Sequence, residues 1–351
     1  MDLNELRDEI RQRDQEIIRL ISERTELAKQ VGQYKRENNL PVRNVEVEKK
    51  VIARYVDEGR KVGLSEEVMS NVSKALIKEA VDAEASLPLI MDPKRIAIIG
   101  GAGKMGAWTA ALMESSGHQV IIIDPASNNG LTIDACKGCD IVVVSVPIHL
   151  TYSTLTKLDS ICGPDTLIFD LTSLKTPIVG RLRAMSKNHK ICSIHPMFGP
   201  SATSMYGRNL IICDCGSKAA VDEAKALFDD RGGNIRIMEV EQHDSYMSYV
   251  LGLTHAVNIA LFTVLERSGY SFEDLLTVSS TTFNKGLDTN RSVASEDPLL
   301  YYEIQHMNQH RDEMWNLFSD VVKELREKSL DDDPEGFVTM MNAGRNYFDG
   351  C

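Results

Sequence analysis

The stretch IHPMFGP at positions 194–200 places His195 at the end of an apolar run, KICSI. An unperturbed imidazole has a pKa of about 6.5, so this side chain can accept a proton at neutral pH. If the run is a strand of a parallel sheet, His195 lies at the carboxyl edge of that sheet, where such folds bind ligands. The position predicts proton transfer with a bound ligand. A structural histidine before a proline is the alternative.

A glycine-rich turn earlier in the chain provides a second candidate site. The run RIAIIGGAGKMG contains Gly101, Gly103 and Gly106 in a G-x-G-x-x-G spacing. Between a strand and a helix, such glycines permit a tight turn, close approach of the backbone to a pyrophosphate, and close packing of helix on strand. The phosphates then lie at the helix N-terminus, where Lys104 and Met105 are predicted to contact the cofactor.

An acidic residue follows at the distance expected for ribose recognition. Asp124 ends the next predicted strand, 18 residues after Gly106. A carboxylate there hydrogen-bonds the ribose hydroxyls and repels a 2′-phosphate, which predicts NAD rather than NADP. Val146 and Pro147, in SVPIH at 145–149, are expected beside the nicotinamide ring. An ordinary turn aspartate beside a tight turn is the alternative.

These residues need a framework that brings strand ends together, and the middle of the chain carries the pattern for one. Continuous apolar strands alternate with helical stretches, which is typical of a parallel sheet covered by helices on both faces. We predict a Rossmann-type, doubly wound parallel sheet in residues 94–240. The predicted strands are RIAIIG, QVIIID, DIVVVSVP at 140–147, TLIFDL at 166–171, KICSIHP at 190–196 and NLIICDC at 209–215.

The two flanking regions have helical patterns. Residues 241–351 show no strand pattern and are predicted to form an all-helical C-terminal dimerisation domain. Residues 1–88 are predicted to form an all-helical N-terminal domain, followed by the linker SLPLIMDP at 86–93. The fold class is therefore multidomain, α and α/β.

The N-terminal region contains three predicted helices, over residues 3 to about 38, about 45–56, and from the N-cap Ser65 to about 85. Pro41 ends the first of them. At about 1.5 Å per residue this helix is ~50 Å long, and two shorter helices cannot cover it. Its length predicts that it pairs with a second copy of itself in a homodimer.

The composition narrows the function classes. The formal net charge of −12 argues against nucleic acid as a partner, because phosphate contacts need a basic surface. No apolar run is expected to reach the roughly 18–20 residues that span a bilayer, and the charged N-terminus does not resemble a secretory signal. Seven scattered cysteines are typical of reduced thiols in a cytoplasmic protein. The CKGC motif at 136–139 has no second ligand pair, so no metal site is predicted.

Residues 95–350 resemble the prephenate dehydrogenase family. Besides IHPMFGP, the resemblance rests on DLTSLK at 170–175, EQHDSYM at 241–247, LTHAV at 253–257 and NRSVASEDP at 290–298. It implies oxidative decarboxylation of prephenate to 4-hydroxyphenylpyruvate, with NAD as the hydride acceptor. Arogenate, which carries an amino group in place of the side-chain keto group, is a related substrate that the sequence leaves open.

The resemblance also implies roles for individual residues. His195 is the hydrogen-bonding partner or base at the 4-hydroxyl of prephenate, and Ser173 orients His195 or that hydroxyl. Arg291 forms a bidentate pair with a substrate carboxylate. His255 and Lys175 line the substrate and cofactor pocket. A surface ion pair for Arg291 and a solvated helix end for Lys175 are the alternatives.

The N-terminal region resembles the all-helical chorismate mutases, through LRDEI, ISERTELAKQVGQYK and LPVRNVEVEKK. The product of chorismate mutase is prephenate, so the two regions would catalyse consecutive steps. The whole chain resembles the bifunctional chorismate mutase–prephenate dehydrogenases, the T-proteins. Feedback inhibition by tyrosine is an expectation from this family, although no separate regulatory domain is evident from the sequence.

The mutase reaction is unimolecular and needs a site that holds a dicarboxylate and stabilises negative charge on the breaking ether oxygen. Arg24 and Lys35, 11 residues apart, share one helix face and suit this task. Arg7 lies roughly 100° away around the same helix and is expected to reach the partner's site. Arg43 completes the set of cations.

Two acidic residues belong to the same predicted site. Glu48 matches a family position that binds the substrate. Glu84 matches the position that faces the ether oxygen, and it helps only if protonated or bridged through Lys35, because a bare carboxylate repels the developing charge.

The chain also departs from the mutase pattern. Val47 replaces an arginine that the family commonly has, Ala80 replaces a serine, and Asn44 stands where some members have aspartate. A monofunctional prephenate or arogenate dehydrogenase, whose helical N-terminal region is only a dimerisation element, is therefore an alternative. An NAD-binding regulatory protein without turnover is a second, which His195, Ser173 and Arg291 together argue against.

Overall fold

The computed structural model describes residues 2–38, 40–87 and 92–350. Residues 88–91 of the predicted linker, and Cys351, lie outside this described part. The chain divides into two compact units. The first comprises Met1–Ser173 and Ile178–Val240, and the second comprises Leu174–Pro177 and Glu241–Cys351.

The first unit begins with the three predicted helices. They are α1 (Leu3–Glu37), α2 (Val45–Lys61) and α3 (Glu66–Ala85). Ser65 caps α3 as predicted, its hydroxyl accepting a hydrogen bond from the backbone N–H of Val68. The prediction ended α2 at about residue 56, too early, because the stretch DEGRKVGL at 57–64 was interpreted as a break in the helix. Gly59 instead lies inside α2, where a Cβ would collide with Met69 of α3, so this glycine permits close helix packing.

Helix α1 leaves most of its apolar face uncovered in the single chain. In its described residues, Ala28 and Gly32 are the buried positions. Nine large apolar side chains of α1 are exposed, namely Leu3, Leu6, Ile10, Ile17, Ile18, Leu20, Leu27, Val31 and Tyr34. The face that the predicted pairing with a second copy requires is therefore available.

The sheet of the first unit has seven strands. They are β1 (Arg95–Ile99), β2 (Gln119–Ile123), β3 (Ile141–Val144), β4 (Leu167–Asp170), β5 (Lys190–Pro196), β6 (Asn209–Asp214) and β7 (Asn234–Glu239). Their order is β2-β1-β3-β4-β5-β6-β7, and every pair is parallel except β5 with β6. The six predicted strands are confirmed.

Two features of the sheet correct the prediction. Strand β6 runs antiparallel to β5, because the loop 197–208 between them contains no helix to carry the chain back to the opposite end of the sheet. Strand β7 was missed, because NIRIME is a largely exposed edge strand rather than a continuous apolar run. The four residues of β3 and of β4 are all buried, as a sheet covered on both faces requires.

Four helices accompany the sheet. They are α4 (Lys104–Ser115), α5 (Ile148–Leu158), α6 (Val179–Met185) and α7 (Lys218–Phe228). The core is formed by strand side chains such as Ile96, Phe169 and Ile194, together with Met113 of α4 and Phe228 of α7. Phe169 and Phe228 meet edge to face, with ring centroids 6.2 Å apart. This core fixes the positions of the strand ends that carry the candidate site residues.

The second unit is all-helical in its described residues, as predicted. Its helices are α8 (Val240–Met247), α9 (Thr254–Arg267), α10 (Phe272–Thr277), α11 (Thr281–Ala294), α12 (Pro298–Met307), α13 (Arg311–Leu330) and α14 (Glu335–Asp349), with a π-helical turn at Ser248–Leu253 between α8 and α9.

One prediction about this region was wrong. The continuous helical run Val240–Arg267 has 28 residues and contains an 18-residue window of mean hydropathy 1.6, which is long and apolar enough to cross a membrane by length and composition. The sequence reading missed it because polar side chains interrupt the run. Core helices of globular proteins meet the same criterion. About a quarter of the window, 28%, is buried within this chain.

Candidate active sites

The glycine turn after β1 is built by backbone contacts that side chains would prevent. Gly100 has φ +81°, and a Cβ on it would collide with the carbonyl oxygen of Ser145. The left-handed turn therefore belongs to Gly100, not to Gly101 as the motif spacing predicted. Glycine at position 101 allows the turn to pack on β2, because a Cβ there would lie 2.7 Å from Cδ1 of Ile122. Gly106 packs α4 onto the turn, as predicted, since its Cβ would collide with the carbonyl oxygen of Gly100.

The N-terminus of α4 is open for an anion. Gly103 is its N-cap and supplies no side-chain hydrogen bond to the first-turn N–H groups. Gly103 and Lys104 are exposed and Met105 is half-buried. Free N–H groups and the positive end of the helix dipole suit a phosphate at this position.

Asp124 follows β2 and turns back toward the glycine loop. Its carboxylate accepts hydrogen bonds from the backbone N–H groups of Ala102, at 3.2 Å, and Ala126, at 2.8 Å. The predicted ribose-binding acid is thus held beside the predicted phosphate-binding turn. These residues fit a dinucleotide, because the cradle has no room for side chains and its acid is fixed in place.

The strand order brings a second segment to the same edge. Strand β1 lies between β2 and β3, which is the point where the winding direction of such sheets reverses and where they bind ligands. Gly100 approaches Ser145 directly. The half-buried Val146 and the exposed Pro147 follow Ser145, so the segment predicted beside the nicotinamide ring neighbours the glycine turn.

His195 lies in β5 and is 4% exposed. Its backbone pairs in register with Ile211 of β6. The neighbouring strand β4 ends at Asp170, whose carboxylate accepts hydrogen bonds from the N–H of Thr172, at 3.0 Å, and from its hydroxyl, at 2.6 Å. This turn leads to the half-buried Ser173, so Ser173 follows β4 at the edge of the sheet where His195 lies near the end of the neighbouring β5.

In the second unit, Asp244 anchors the segment Leu174–Pro177. Its carboxylate accepts hydrogen bonds from the backbone N–H groups of Lys175, at 2.9 Å, and Thr176, at 2.6 Å, and lies 2.6 Å from Nδ1 of His243. Burial acts to raise the pKa of Asp244, but the hydrogen bonds from His243, Thr176 and Lys175 outweigh it and the pKa is lowered. Lys175 is 0% exposed, which excludes the solvated helix end considered above.

His255, on α9, is buried and stacks on Tyr301 with ring centroids 4.1 Å apart. Burial lowers the pKa of His255 to about 4, so its imidazole is neutral at pH 7. Its Nδ1 atom is buried and has no hydrogen-bond partner among the described residues. A neutral imidazole with one unused nitrogen suits a polar ligand atom.

Arg291 lies on α11 of the second unit, with its guanidinium 5.1 Å from the ring centre of Phe272. It lines a cavity of about 330 Å³ whose walls are mostly apolar. Asn290, beside it, donates a hydrogen bond to Asn258 of α9 at 2.8 Å. The contact with Phe272 differs from the surface ion pair considered as the alternative.

A second cavity, of about 310 Å³, lies among α1, α2 and α3. Four of the predicted mutase residues line it: Arg24, Lys35, Glu48 and Glu84. Lys35 is the central cation, because its ammonium group donates to Glu84 Oε2 at 2.6 Å and to the carbonyl of Val42 at 2.6 Å. The bridge that Glu84 was predicted to need is therefore present.

The close packing of α1 on α3 brings Lys35 and Glu84 together. A Cβ on Gly32 would lie 2.9 Å from Cγ of the buried Glu84, so glycine permits the close approach. Arg24 donates to the carbonyl of Leu76 on α3 at 2.6 Å. The cationic face of α1 is thus turned toward α3 across the cavity.

The three departures from the family pattern also lie in this cavity. Val47, Ala80 and Asn44 are all part of its lining. The Asn44 side chain has a structural task, since its oxygen caps α2 by accepting from the N–H groups of Glu46 and Val47. Val47 leaves this part of the wall without the cation that the family commonly places there.

The structure does not bring the two remaining cations into the cavity lining. Arg7 is exposed on the distal part of α1, as a residue serving a partner's site would be. Arg43 bonds to Glu48, with Nε to Oε1 at 2.9 Å, and to Asn234 of β7 at 2.8 Å. Sequence reasoning missed Tyr206, whose hydroxyl donates to Glu48 at 3.3 Å, because nothing in the sequence links the two positions.

The cysteines do not form a site in the described residues. All six described cysteines are buried and free. Burial raises the pKa of Cys136 to about 12 and that of Cys162 to about 11, so these thiols stay protonated. No group of three or more histidine, cysteine or acidic side chains within the described ranges is arranged to hold a metal ion.

Three family models match the chain. Residues 6–85 match "Chorismate mutase type II", residues 111–237 match "Prephenate dehydrogenase, nucleotide-binding domain", and residues 239–343 match "Prephenate dehydrogenase, dimerization domain". The second match begins after the glycine turn, whose interpretation therefore rests on its geometry.

Similar proteins combine the same parts. The T-protein of Haemophilus influenzae is 27% identical over 354 residues, covering 99% of this chain and 92% of that protein. The T-protein of Enterobacter agglomerans is 27% identical, covering 86% of this chain and 81% of that protein. A solved structure of prephenate dehydrogenase from A. aeolicus, in complex with hydroxyphenyl propionate and NAD+, superposes with a TM-score of 0.61 at 22% identity, covering 74% of this chain and 99% of that one.

Proposed function

The chain belongs to the T-proteins, the bifunctional chorismate mutase–prephenate dehydrogenases, and we propose that it converts chorismate to prephenate and prephenate to 4-hydroxyphenylpyruvate. The observation that carries the proposal is the presence on one chain of two built sites. One is a cavity lined by Arg24, Lys35 and Glu84, and the other is a dinucleotide-type glycine turn on the sheet that also carries His195.

For the mutase step, the cavity supplies charge rather than a reactive group. Arg24 and Lys35 attract the carboxylates of chorismate and hold it in the folded conformation that rearrangement needs. The Lys35 ammonium also offsets the charge of Glu84, so that no bare carboxylate faces the oxygen on which negative charge develops. Arg7, exposed on α1, serves the equivalent cavity of a second chain.

For the dehydrogenase step, His195 accepts the proton of the 4-hydroxyl of prephenate, and Ser173 orients the acceptor or the hydroxyl. NAD, when bound, supplies the acceptor for the hydride that leaves C4. Loss of carbon dioxide from C1 then makes the ring aromatic. Arg291 holds a substrate carboxylate, Lys175 provides a buried cation, and the neutral His255 provides an uncharged hydrogen-bonding group.

The cofactor assignment follows from the turn. Gly101 and Gly106 allow the turn and α4 to pack closely, and the pyrophosphate binds at the open N-terminus of α4, which Gly103 caps. Asp124 binds the ribose and disfavours a 2′-phosphate, which supports NAD over NADP.

We further propose that the protein is a cytoplasmic homodimer. The uncovered apolar face of α1 and the dimerization domain at residues 239–343 support two chains in the assembly. Buried free cysteines fit a reducing compartment. Tyrosine, the amino acid made from 4-hydroxyphenylpyruvate, is a candidate feedback inhibitor.

The test follows NADH absorbance with purified protein, NAD and either chorismate or prephenate as the substrate. NADH formed from chorismate well above the rate of uncatalysed rearrangement supports both activities. NADH formed from prephenate alone contradicts the mutase assignment. It leaves the second candidate, a monofunctional dehydrogenase, which Val47 and Ala80 in the cavity wall favour. Arogenate in a parallel assay decides the substrate.

A further inference from the structure

We propose that Tyr206, a residue of the nucleotide-binding domain, is a positioning residue for the mutase reaction and acts by orienting Glu48. The proposal deepens the mutase activity proposed above and rests on it. It implies that a residue far from the helical N-terminal region in sequence supports the lining of the mutase cavity from behind.

Tyr206 reaches the cavity wall from outside the helical region. Its hydroxyl donates to Glu48 Oε2 at 3.3 Å. Its ring packs against the apolar cluster formed by Val42, Ile77 and Val81. All three of these residues, and Glu48, line the mutase cavity. The tyrosine thus forms part of the layer directly behind that lining.

A second contact fixes the same carboxylate. Arg43 donates to Glu48 through Nε, at 2.9 Å to Oε1, and through its Nη2, at 3.3 Å to Oε2. Its Nη1 donates to Asn234 of β7 at 2.8 Å, and its guanidinium lies 5.0 Å from the ring centre of Tyr206. Both oxygens of Glu48 are therefore held by groups that the nucleotide-binding domain contacts.

The protonation states suit this arrangement. The hydrogen bond with Glu48 raises the pKa of Arg43 despite its partial burial. Burial and the nearby Glu48 charge raise the pKa of Tyr206. The phenol therefore keeps its proton and can donate a hydrogen bond to the Glu48 carboxylate.

The network gives a reason for tolerating Val47. A free carboxylate at Glu48 would repel a dianionic substrate, and this chain has no arginine at position 47 to offset it. Arg43, which lies outside the cavity lining, neutralises Glu48. The hydrogen bond from Tyr206 restrains the orientation of the Glu48 carboxylate. Because Lys35 is offset by Glu84, the cavity then keeps the net positive charge of Arg24.

Tyr206 is itself firmly placed. It lies in the loop 197–208, which begins directly after His195 and Pro196. Trp108 of α4 holds this loop by donating to the carbonyl of Ala202 at 2.8 Å and by an edge contact with Phe198, with ring centroids 5.0 Å apart.

The two parts of the first unit are also joined directly. Arg231, 3% exposed, donates to the carbonyl of Ala85 at the end of α3, at 2.6 Å. Gly232 has φ +72°, and a Cβ on it would lie 2.6 Å from Val81, so the two surfaces meet closely there. The position of Tyr206 relative to the cavity is therefore set by packing.

The test measures mutase and dehydrogenase kinetics of the full-length protein in four variants: Tyr206→Phe, Glu48→Gln, the double variant, and Tyr152→Phe as a matched control at an exposed tyrosine. Phenylalanine keeps the packing and removes the hydroxyl. We expect Tyr206→Phe to lower mutase kcat/KM about tenfold, mainly through a higher KM for chorismate, because a hydrogen bond to a charged group is lost. Dehydrogenase turnover of prephenate should change less than about twofold, and the control should match the wild type.

The double variant distinguishes a role of Tyr206 in orienting Glu48 from a role in the stability of the surrounding structure. If Tyr206 acts through Glu48, Tyr206→Phe adds no further loss in the Glu48→Gln background. Unchanged mutase kinetics in Tyr206→Phe, or losses that multiply in the double variant, would overturn the proposal while the mutase function stands. A wild-type protein without mutase activity would instead overturn the proposed function and this inference together.

Discussion

The mutase cavity and the dehydrogenase half of this chain use different kinds of chemical groups. The cavity presents permanent charges, with Lys35 and Glu84 in direct contact at 2.6 Å across two helices. The dehydrogenase half relies on a glycine turn in which backbone meets backbone, and on histidines such as the buried His195 and the neutral His255. The difference follows from the chemistry, because a unimolecular rearrangement needs only positioning and charge, whereas oxidation needs a proton acceptor and a dinucleotide.

The two activities should therefore be separable by mutation, although the mutase cavity, the glycine turn and His195 all belong to the first compact unit. Charge removed from the cavity should spare the glycine turn, and a change in β5 should spare the cavity. Four measurements test this separation.

The largest effect is expected at His195. His195→Asn should lower dehydrogenase turnover by about 10²–10⁴, because a general base is lost while the polar shape is kept. Chorismate consumption should stay at the wild-type level. NADH formation from prephenate and the absorbance of chorismate are followed side by side. Unchanged prephenate turnover would remove His195 from its assigned role.

The reciprocal variant is Lys35→Ala. It removes a cation from the cavity and leaves Glu84 buried without its partner, so mutase kcat/KM should fall by about 10²–10³. Dehydrogenase turnover with prephenate should persist. Lys29→Ala, which loses an exposed pair with Glu26 on the same helix, is the matched control and should keep mutase activity. Equal losses in both lysine variants would argue against a specific role for Lys35.

The third measurement concerns His255 and pH. Its pKa of about 4 in the folded protein lies below the ordinary value of about 6.5, so the unfolded chain binds the proton first. The contribution of His255 to the free energy of unfolding is therefore fully present above about pH 6.5. It falls by about 3 kcal/mol as the pH is lowered toward 4. Denaturant unfolding of wild type and His255→Gln at pH 7 and pH 4.5 should show a smaller loss in the variant. Equal losses of stability in the wild type and the variant would mean that His255 is protonated at pH 4.5 in the folded protein, so that folding does not lower its pKa.

The smallest effect tests the backbone construction of the nucleotide turn. Gly106→Ala places a methyl group against the carbonyl of Gly100 and should destabilise the protein by about 1–3 kcal/mol, with weaker NAD binding. Gly180→Ala in α6 is the control, because nothing lies within 4 Å of its Cβ. It should be neutral or stabilising by about 0.5–1 kcal/mol. Thermal unfolding and an NAD titration report both, and indistinguishable variants would contradict the close packing of α4.

Much of the fold was predictable because its signals are local. The helical period of α1, the cap at Ser65 and the six apolar strands are each contained in one short segment. The errors have physical causes. The stretch DEGRKVGL was interpreted as a break in the helix, whereas its Gly59 lies inside α2 and permits packing against Met69, and β7 is too exposed to show a buried-strand pattern.

The sites were predictable to different degrees. The spacing of Gly101, Gly103 and Gly106 identified the nucleotide turn, but the left-handed position fell one residue earlier, at Gly100. The shared face of Arg24 and Lys35 followed from helical spacing, and both line the cavity. The resemblance to known families, rather than spacing, suggested Glu48 and Arg43.

Local patterns were enough to predict a helical, a sheet-forming and a second helical region along the chain, the glycine turn and the cationic face of α1, because each depends on residues that are neighbours along one strand or one helix. Long-range packing, by contrast, places Arg43 against Glu48 and Asn234, buries Lys175, and brings the Tyr206 hydroxyl to Glu48 in the cavity lining. These contacts join residues up to 191 positions apart, as Arg43 and Asn234 are. Their partners are set by how helices and sheet pack together, which no local pattern encodes.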